Sequence, residues 1–346
     1  MKGIYFLGKG QFEERDLKMR PLKANEVLIQ NMACGVCGTD IHIARGEKGS
    51  AEVEPPVVLG HEYSGLVLQV GSDVKSIQVG DHVTVDPNIY CGHCRYCHNG
   101  QKQFCENLQA VGVNRDGGFA QYSLVPETQV FVMSAEISYT SMAMAEPLAC
   151  CLHGIAQIDI HPGDTACVIG GGAIGLIMAQ LLRLKGASKI LLSEPMAQRR
   201  ALALRIGAVD HVFEPGDALL EEIQQLTHRL GVDVVIECAG TPAAVKQAIE
   251  ITDRGGRVLL FSVPSPETRV DLPLFDVFRK ELKISGSFVN PDTHQQAVDL
   301  LNQKKIDVES LITHRFPLDR LTEALRAQTS PEAIKVIVLP QSDSDS

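Results

Sequence analysis

Ala166-Cys167-Val168-Ile169-Gly170-Gly171-Gly172-Ala173-Ile174-Gly175-Leu176 constrains this chain more than any other stretch. An apolar run ends at Gly170, three glycines follow in a G-x-G-x-x-G spacing at Gly170, Gly172 and Gly175, and a helical pattern runs from Leu176 to Lys185. Taken alone this is equally an ordinary strand–helix turn. The order of strand, tight turn and helix is also what a dinucleotide pyrophosphate requires. Gly170 makes the turn, Gly172 lets the backbone approach the phosphates, and Gly175 lets helix and strand pack closely. The first helical turn, including Ile174, then presents unpaired N–H groups to negative charge.

The flanking sequence strengthens the dinucleotide reading. Lys189–Ser193 is a second apolar strand, and Glu194 ends it 19 residues after Gly175. A carboxylate at that distance is placed to accept from a ribose 2′-OH, and its charge repels a 2′-phosphate. This favours NAD over NADP. Arg199 is a further cofactor candidate. With Arg200, it is expected one turn into the next helix, on a solvated face.

From Pro147 to Phe288 the pattern alternates strand and helix. Expected strands are Thr165–Ile169, Lys189–Ser193, Val209–Phe213, Val232–Cys238, Arg257–Ser262 and Leu282–Phe288. Six strands with crossover helices give a doubly wound parallel sheet, an α/β domain. Residues 1–146 read instead as short strands broken by Gly, Pro and Asp, such as Glu26–Ala33, Tyr63–Val70 and Asp81–Val85, which predicts an all-β body. Residues 289–346 carry two helical stretches, Thr293–Lys304 and Leu318–Gln328, and a strand Lys335–Leu339. This tail is expected to return to the first domain, with the polar end from Gln341 frayed.

The chain is 346 residues long with a net charge of −10 and no basic run, which argues against nucleic acid or an anionic membrane as partner. Thr165–Leu182 holds no charge for 18 residues, but consecutive glycines interrupt it inside the alternating pattern, so a membrane span is rejected. The N-terminal apolar run is too short for a signal peptide, and a cytoplasmic protein is expected.

Ten cysteines are present. Cys91, Cys94, Cys97 and Cys105 follow C-x2-C-x2-C-x7-C, a spacing that closes a tetrahedral thiolate shell around zinc and leaves no open position, as a structural site does. An iron–sulfur cluster is the alternative. His93 and His98 are expected bystanders. A dispersed second set comprises Cys37 in a glycine-rich turn, His61-Glu62 after Gly60, and Glu146-Pro147 at the domain junction. A Cys/His/carboxylate combination suits a catalytic zinc with an open position, although on spacing alone a scattered set of unrelated residues is as good a reading. Cys34, Cys150, Cys151, Cys167 and Cys238 sit in apolar surroundings and read as core.

Gly35-Val36-Cys37-Gly38-Thr39-Asp40-Ile41-His42, Leu59-Gly60-His61-Glu62, Val79-Gly80-Asp81-His82-Val83, the four-cysteine loop, Asp116-Gly117-Gly118-Phe119-Ala120, Glu146-Pro147-Leu148, the glycine loop and Thr313-His314-Arg315-Phe316 occur together in this order. With them the chain resembles the zinc-dependent medium-chain dehydrogenases, especially the sorbitol (polyol) branch, over nearly its full length. The resemblance implies a GroES-like catalytic domain carrying two zincs, one catalytic and one structural, and an inserted Rossmann domain that binds NAD, with the active site in the cleft between them. It implies Cys37, His61 and Glu62 as catalytic zinc ligands, with Glu146 reaching the metal directly or through water, and Thr39 relaying the substrate proton, with His42 extending the relay. Glu146 stands where alcohol dehydrogenases of this superfamily place a second cysteine, which points to a polyol-type substrate. One departure is that Val289-Asn290 stands where sorbitol dehydrogenases carry Arg-Tyr against the sugar alcohol. Sugar-alcohol phosphates, sugar acids and L-threonine are the alternatives within the family, and Gly112-Val113-Asn114-Arg115 is similar to the threonine enzymes. Arg45, Lys48 and Arg115 are candidate contacts for a phosphate or carboxylate. Relatives are commonly homodimers or homotetramers. A non-catalytic nucleotide-sensing scaffold is the reading from another class.

Overall fold

The computed structural model describes residues 1–17, 19–47, 52–228 and 230–341. The candidate contact Lys48, and the polar end beyond Gln341, lie outside the described residues. The described chain divides into two units: one of residues Met1–Cys150 with Val289–Ser346, the other of residues Cys151–Phe288.

The larger unit is built on the strand Glu26–Gly35, whose apolar residues Val27, Ile29, Ala33 and Cys34 are fully buried. It pairs antiparallel with Glu62–Val70, with Tyr122–Pro126 and with the last strand, Lys335–Leu339. The seven-stranded sheet is completed by His82–Val85, Val130–Val132 and Ile312–Pro317. A three-stranded sheet begins the chain, and one core joins Ile4, Phe6, Ile29, Leu59, Tyr63 and Phe119 to Leu321, Val336 and Val338 of the C-terminal segment. The first 145 residues are not all β. Short helices occur at Gly38–Ala44, Arg95–His98 and Tyr139–Met142, and Ala145–Ile155 begins there. The first three are one or two turns long, and such short pieces leave little 3.6-residue periodicity to read.

The second unit is a six-stranded parallel sheet. Its order is His211–Phe213, Lys189–Ser193, Thr165–Ile169, Val232–Glu237, Thr252–Leu260, Lys283–Gly286. The chain starts in the middle, winds outward one way, then returns to wind the other. The strand order therefore reverses between Thr165–Ile169 and Val232–Glu237, which is where open α/β sheets bind ligands, beyond the carboxyl ends of the strands. Cys167, Val168, Leu191, Leu192, Val234 and Val235 are fully buried, as two-sided coverage of a parallel sheet requires. The uncharged stretch Thr165–Leu182 is a strand and part of a helix. No helix among the described residues is long and apolar enough to cross a membrane.

Candidate metal centres and dinucleotide loop

The four-cysteine loop has little regular structure of its own beyond the turn Arg95–His98 and the single 3-10 turn Lys102–Phe104. Its four sulfurs nonetheless lie within 4.8 Å of one another. Cys91 Sγ and Cys97 Sγ are 4.0 Å apart, against the roughly 3.8 Å edge of a tetrahedron with zinc–sulfur bonds of about 2.3 Å. Backbone N–H groups aim at the sulfurs: Cys91 N donates to Cys105 Sγ at 3.3 Å and Cys94 N to Cys91 Sγ at 3.4 Å. The N–H groups of Cys97 and Glu106 pull the Cys94 thiol down to about 6. These thiols fit a metal as a set. His93 and His98 are exposed, and the His93 ring bonds the Cys91 carbonyl at 2.8 Å.

The second cluster is assembled from two neighbouring strand ends. Cys37 caps the helix Gly38–Ala44 just after Glu26–Gly35, while His61 and Glu62 open the adjacent strand. One ligand atom from each of Cys37, His61 and Glu62 lies within 4.8 Å of the others, a span that small side-chain rotations can close onto one ion at bonds of about 2.0–2.3 Å. The turn that presents His61 is held from outside. Gly117 N, Gly118 N and Phe119 N donate to Val58 O, Gly60 O and Leu59 O at 2.9, 2.7 and 3.0 Å, and Val58 N donates to Asp116 Oδ1 at 2.9 Å. Gly60 has φ +93°, and a side chain at Gly112 would collide with its carbonyl. The Asp116-Gly117-Gly118-Phe119 motif is thus a brace for the His61 turn.

Asp40, which the sequence reading did not single out, lies under both ligands. Fully buried, it accepts from Cys37 N at 2.9 Å through Oδ2 and sets Oδ1 3.6 Å from His61 Nδ1. Burial pulls the His61 imidazole down, but the Asp40 carboxylate and Cys37 outweigh it and hold the ring well above its ordinary range. The signal was present as Cys-x-x-Asp at a helix start, where a carboxylate at the third helical position reaches back to the cap N–H.

Glu146 sits in the first turn of Ala145–Ile155, buried, and is not one of the three clustered ligands. Burial raises its carboxyl to about 7, and Cys150 Sγ donates to it at 3.3 Å one helical turn on. Of the five cysteines expected in the core, Cys150 and Cys238 are only partly buried, whereas Cys34, Cys151 and Cys167 are in the core. Thr39 is half-buried in the turn after Cys37, and the His42 ring bonds Glu47 at 2.5 Å. Asn290, which stands with Val289 where sorbitol dehydrogenases carry Arg-Tyr, is taken up in a buried polar cluster. It is fully buried, accepts from Asn88 Nδ2 at 2.6 Å and donates to Asp86 Oδ1 at 3.3 Å. Arg45 is exposed, and Arg115 donates to Gln109 Oε1 at 3.0 Å.

In the second unit the glycine loop follows Thr165–Ile169. Gly170 has φ +102°, a side chain at Gly175 would run into the Gly170 carbonyl, and one at Gly172 would meet nothing within 4 Å. The room at Gly172 is what a backbone approached by phosphate needs. The first i→i−4 bond of the following helix is Leu176 N to Gly172 O at 3.0 Å, so the N–H groups of Ala173, Ile174 and Gly175 precede the ladder. Glu194 is almost completely buried at the end of the next strand and accepts from Gly171 N at 2.6 Å and Met196 N at 2.8 Å. Arg199 and Arg200 do not lie on an open face as expected. Arg199 lies 3.9 Å from the Glu194 carboxylate, and Arg200 bonds the Glu194 carbonyl at 2.7 Å and Glu214 at 2.6 Å.

Comparison with known proteins agrees with both halves. Residues 23–135 match the alcohol dehydrogenase GroES-like domain, and residues 173–303 the zinc-binding dehydrogenase domain. The chain is 34% identical to an L-threonine 3-dehydrogenase of Caldanaerobacter subterraneus subsp. tengcongensis, covering 91% of this chain and 92% of that enzyme. It is 31% identical to a sorbitol dehydrogenase of Bacillus subtilis, covering 98% and 97%. Among solved structures, one described as a zinc-binding dehydrogenase from Sinorhizobium meliloti 1021 bound to NADP superposes with a TM-score of 0.93 at 38% identity, covering 98% of this chain and 99% of that one.

Proposed function

We propose that this chain, which belongs to the zinc-dependent medium-chain dehydrogenases, oxidises a secondary alcohol of a polyol, sugar alcohol or sugar-alcohol phosphate with NAD as hydride acceptor. The chain is a zinc- and NAD(P)-linked alcohol dehydrogenase; the substrate group and the preference for NAD are the proposal. The observation that carries it is the donor set. Cys37 is the one thiol in the cluster with His61 and Glu62, and a second carboxylate, Glu146, is buried close enough to feel the charges of His61 and Glu62. A shell with so little thiolate suits a substrate that chelates through neighbouring hydroxyls.

Cys37, His61 and Glu62 would hold the catalytic metal, with Glu146 as a further carboxylate directly or through water, and Cys91, Cys94, Cys97 and Cys105 would hold a structural one. Asp40, with Oδ1 3.6 Å from His61 Nδ1, would orient the ring and leave its other nitrogen for the metal. When bound, zinc supplies Lewis-acid polarisation of the substrate hydroxyl, and the nicotinamide supplies the hydride acceptor. The Thr39 hydroxyl takes the proton outward. Glu194 orients the ribose, and the loop Gly170–Gly175 with Ile174 receives the pyrophosphate. Arg199, beside the Glu194 carboxylate, completes the cofactor pocket.

L-Threonine is the second reading, favoured by the relative of that activity and by the Gly112–Arg115 segment. A homo-oligomer is part of the proposal. Leu274, Phe275 and Phe278 are 73%, 69% and 79% exposed just before Lys283–Gly286, an edge strand of the parallel sheet, and a second copy covers both. A cytoplasmic setting accords with ten cysteines and no disulfide.

The test is NADH or NADPH formation by zinc-loaded protein across polyols, polyol phosphates, sugar acids and L-threonine, with zinc counted per chain. Two zincs and turnover of a polyol-type substrate with NAD are expected. Turnover of L-threonine alone replaces the substrate assignment, and two bound zincs with silence across the panel favours the non-catalytic scaffold.

A further inference from the structure

Lys335 is a charged side chain with only 5% of its surface exposed, and its ammonium is ion-paired with the Glu62 carboxylate, itself 2% exposed. The sheet register explains how they meet. Gly35 of the central strand is the Cα partner of Glu62 on one side and of Ile337 on the other. Directly paired residues share a face, and so do residues two apart on one strand, so Lys335, Ile337, Gly35 and Glu62 lie on the same face. Gly35 is the space through which the pair closes. A side chain there would overlap Glu62 Oε2 and come within 2.8 Å of Lys335 Cε. A strand that otherwise reads as buried apolar residues, Val336, Ile337 and Val338, therefore delivers one cation to a cluster of metal-ligating groups.

We propose that Lys335 is a positioning residue that holds Glu62 and sets the charge of the catalytic centre. The proposal rests on the reading of Cys37, His61 and Glu62 as the ligands of a catalytic metal. With a divalent ion, the Cys37 thiolate and the Glu62 carboxylate cancel its two charges and neutral His61 adds none. Lys335 then offsets the buried Asp40 carboxylate, 3.6 Å from His61 Nδ1, so that these groups are neutral and not one unit negative when an anionic alkoxide forms. The same cation opposes the metal, both by repulsion and by competing for Glu62. The chain thereby trades metal affinity for a centre that stays electrophilic.

The experiment compares wild type, Lys335→Met and Lys335→Arg, with Lys335→Gln as the substitute if the methionine variant does not fold. Zinc affinity is measured by competition with a fluorescent chelator, the zinc count by elemental analysis, and kcat and KM at saturating zinc. Removing a unit charge beside a divalent ion is expected to tighten the weaker-held zinc about tenfold or more and to lower kcat about tenfold, while Lys335→Arg stays near wild type in both. A folded Lys335→Met protein with unchanged or weaker zinc affinity, or with unchanged kcat, overturns the role of Lys335. A wild-type chain that holds one zinc only, on the four cysteines, overturns the reading of the site and the proposal with it.

Discussion

Replacing Asp40 separates two jobs that its carboxylate performs at once. Its Oδ2 accepts from Cys37 N at 2.9 Å, and its Oδ1 stands 3.6 Å from His61 Nδ1, with no solvent exposure. Asp40→Asn keeps the volume and an oxygen for the Cys37 N–H but removes the charge. A charge-assisted bond of about 1.5–3 kcal/mol becomes a neutral one of about 1, so the metal-free protein loses about 1 kcal/mol. The His61 ring also loses the anion that orients it, and loss of such an outer partner costs about 10–100-fold in metal affinity. Asp40→Ala adds a buried N–H without an acceptor, about 1–3 kcal/mol more. Urea unfolding of the metal-free chain and chelator competition for zinc measure the two effects separately. At saturating zinc, Asp40→Asn should recover most of its turnover. Wild-type zinc affinity in Asp40→Asn would show that Asp40 does not orient His61. Equal stability of Asp40→Ala and Asp40→Asn would show that the bond to Cys37 contributes nothing.

Three further outcomes follow from the same geometry. Glu194→Ser removes the charge at the ribose position and should raise kcat/KM for NADP relative to NAD at least about tenfold; an unchanged ratio of the two would remove Glu194 from cofactor choice. Phe275→Glu with Phe278→Glu places charges on the exposed apolar helix and should leave a folded monomer by light scattering, whereas an intact oligomer would locate the interface elsewhere. Burial raises Asp86 to about 6, so the folded state holds its proton more tightly than the unfolded state does and stability falls as pH rises from about 4 to about 6. Asp86→Asn keeps the oxygen that Asn88 and Asn290 bond. Its stability relative to wild type should grow by about 3 kcal/mol over that range and level off above it, and a pH-independent difference between the two proteins would contradict the raised value.

Much of the architecture was legible in the chain because it rests on local periodicity and turn chemistry. Thr165–Ile169, Lys189–Ser193 and Lys335–Leu339 occur with the bounds that the apolar runs predict, since a buried parallel or central strand is a short unbroken apolar stretch. The glycine loop could be read because each glycine answers a backbone demand. The four-cysteine loop could be read because its ligands are close in sequence. The Arg199–Arg200 pair was misjudged because spacing along a helix does not show which face a neighbouring strand end covers. Val289-Asn290 could be read as a departure from the Arg-Tyr of the sorbitol enzymes, but the clasp of Asn290 on Asn88 and Asp86 joins residues 202 and 204 positions apart.

The order of motifs along the chain is enough to determine the family and the dinucleotide fold, because each motif meets a chemical need within a few residues. Tertiary structure alone decides that Asp40 serves both Cys37 and His61, and that Glu146 lies outside the three-ligand cluster. It alone brings Lys335 across 273 positions to Glu62. These depend on strand register. In a β-sheet, register places side chains from distant segments on one face, and nothing local in the sequence encodes which distant strand will lie alongside.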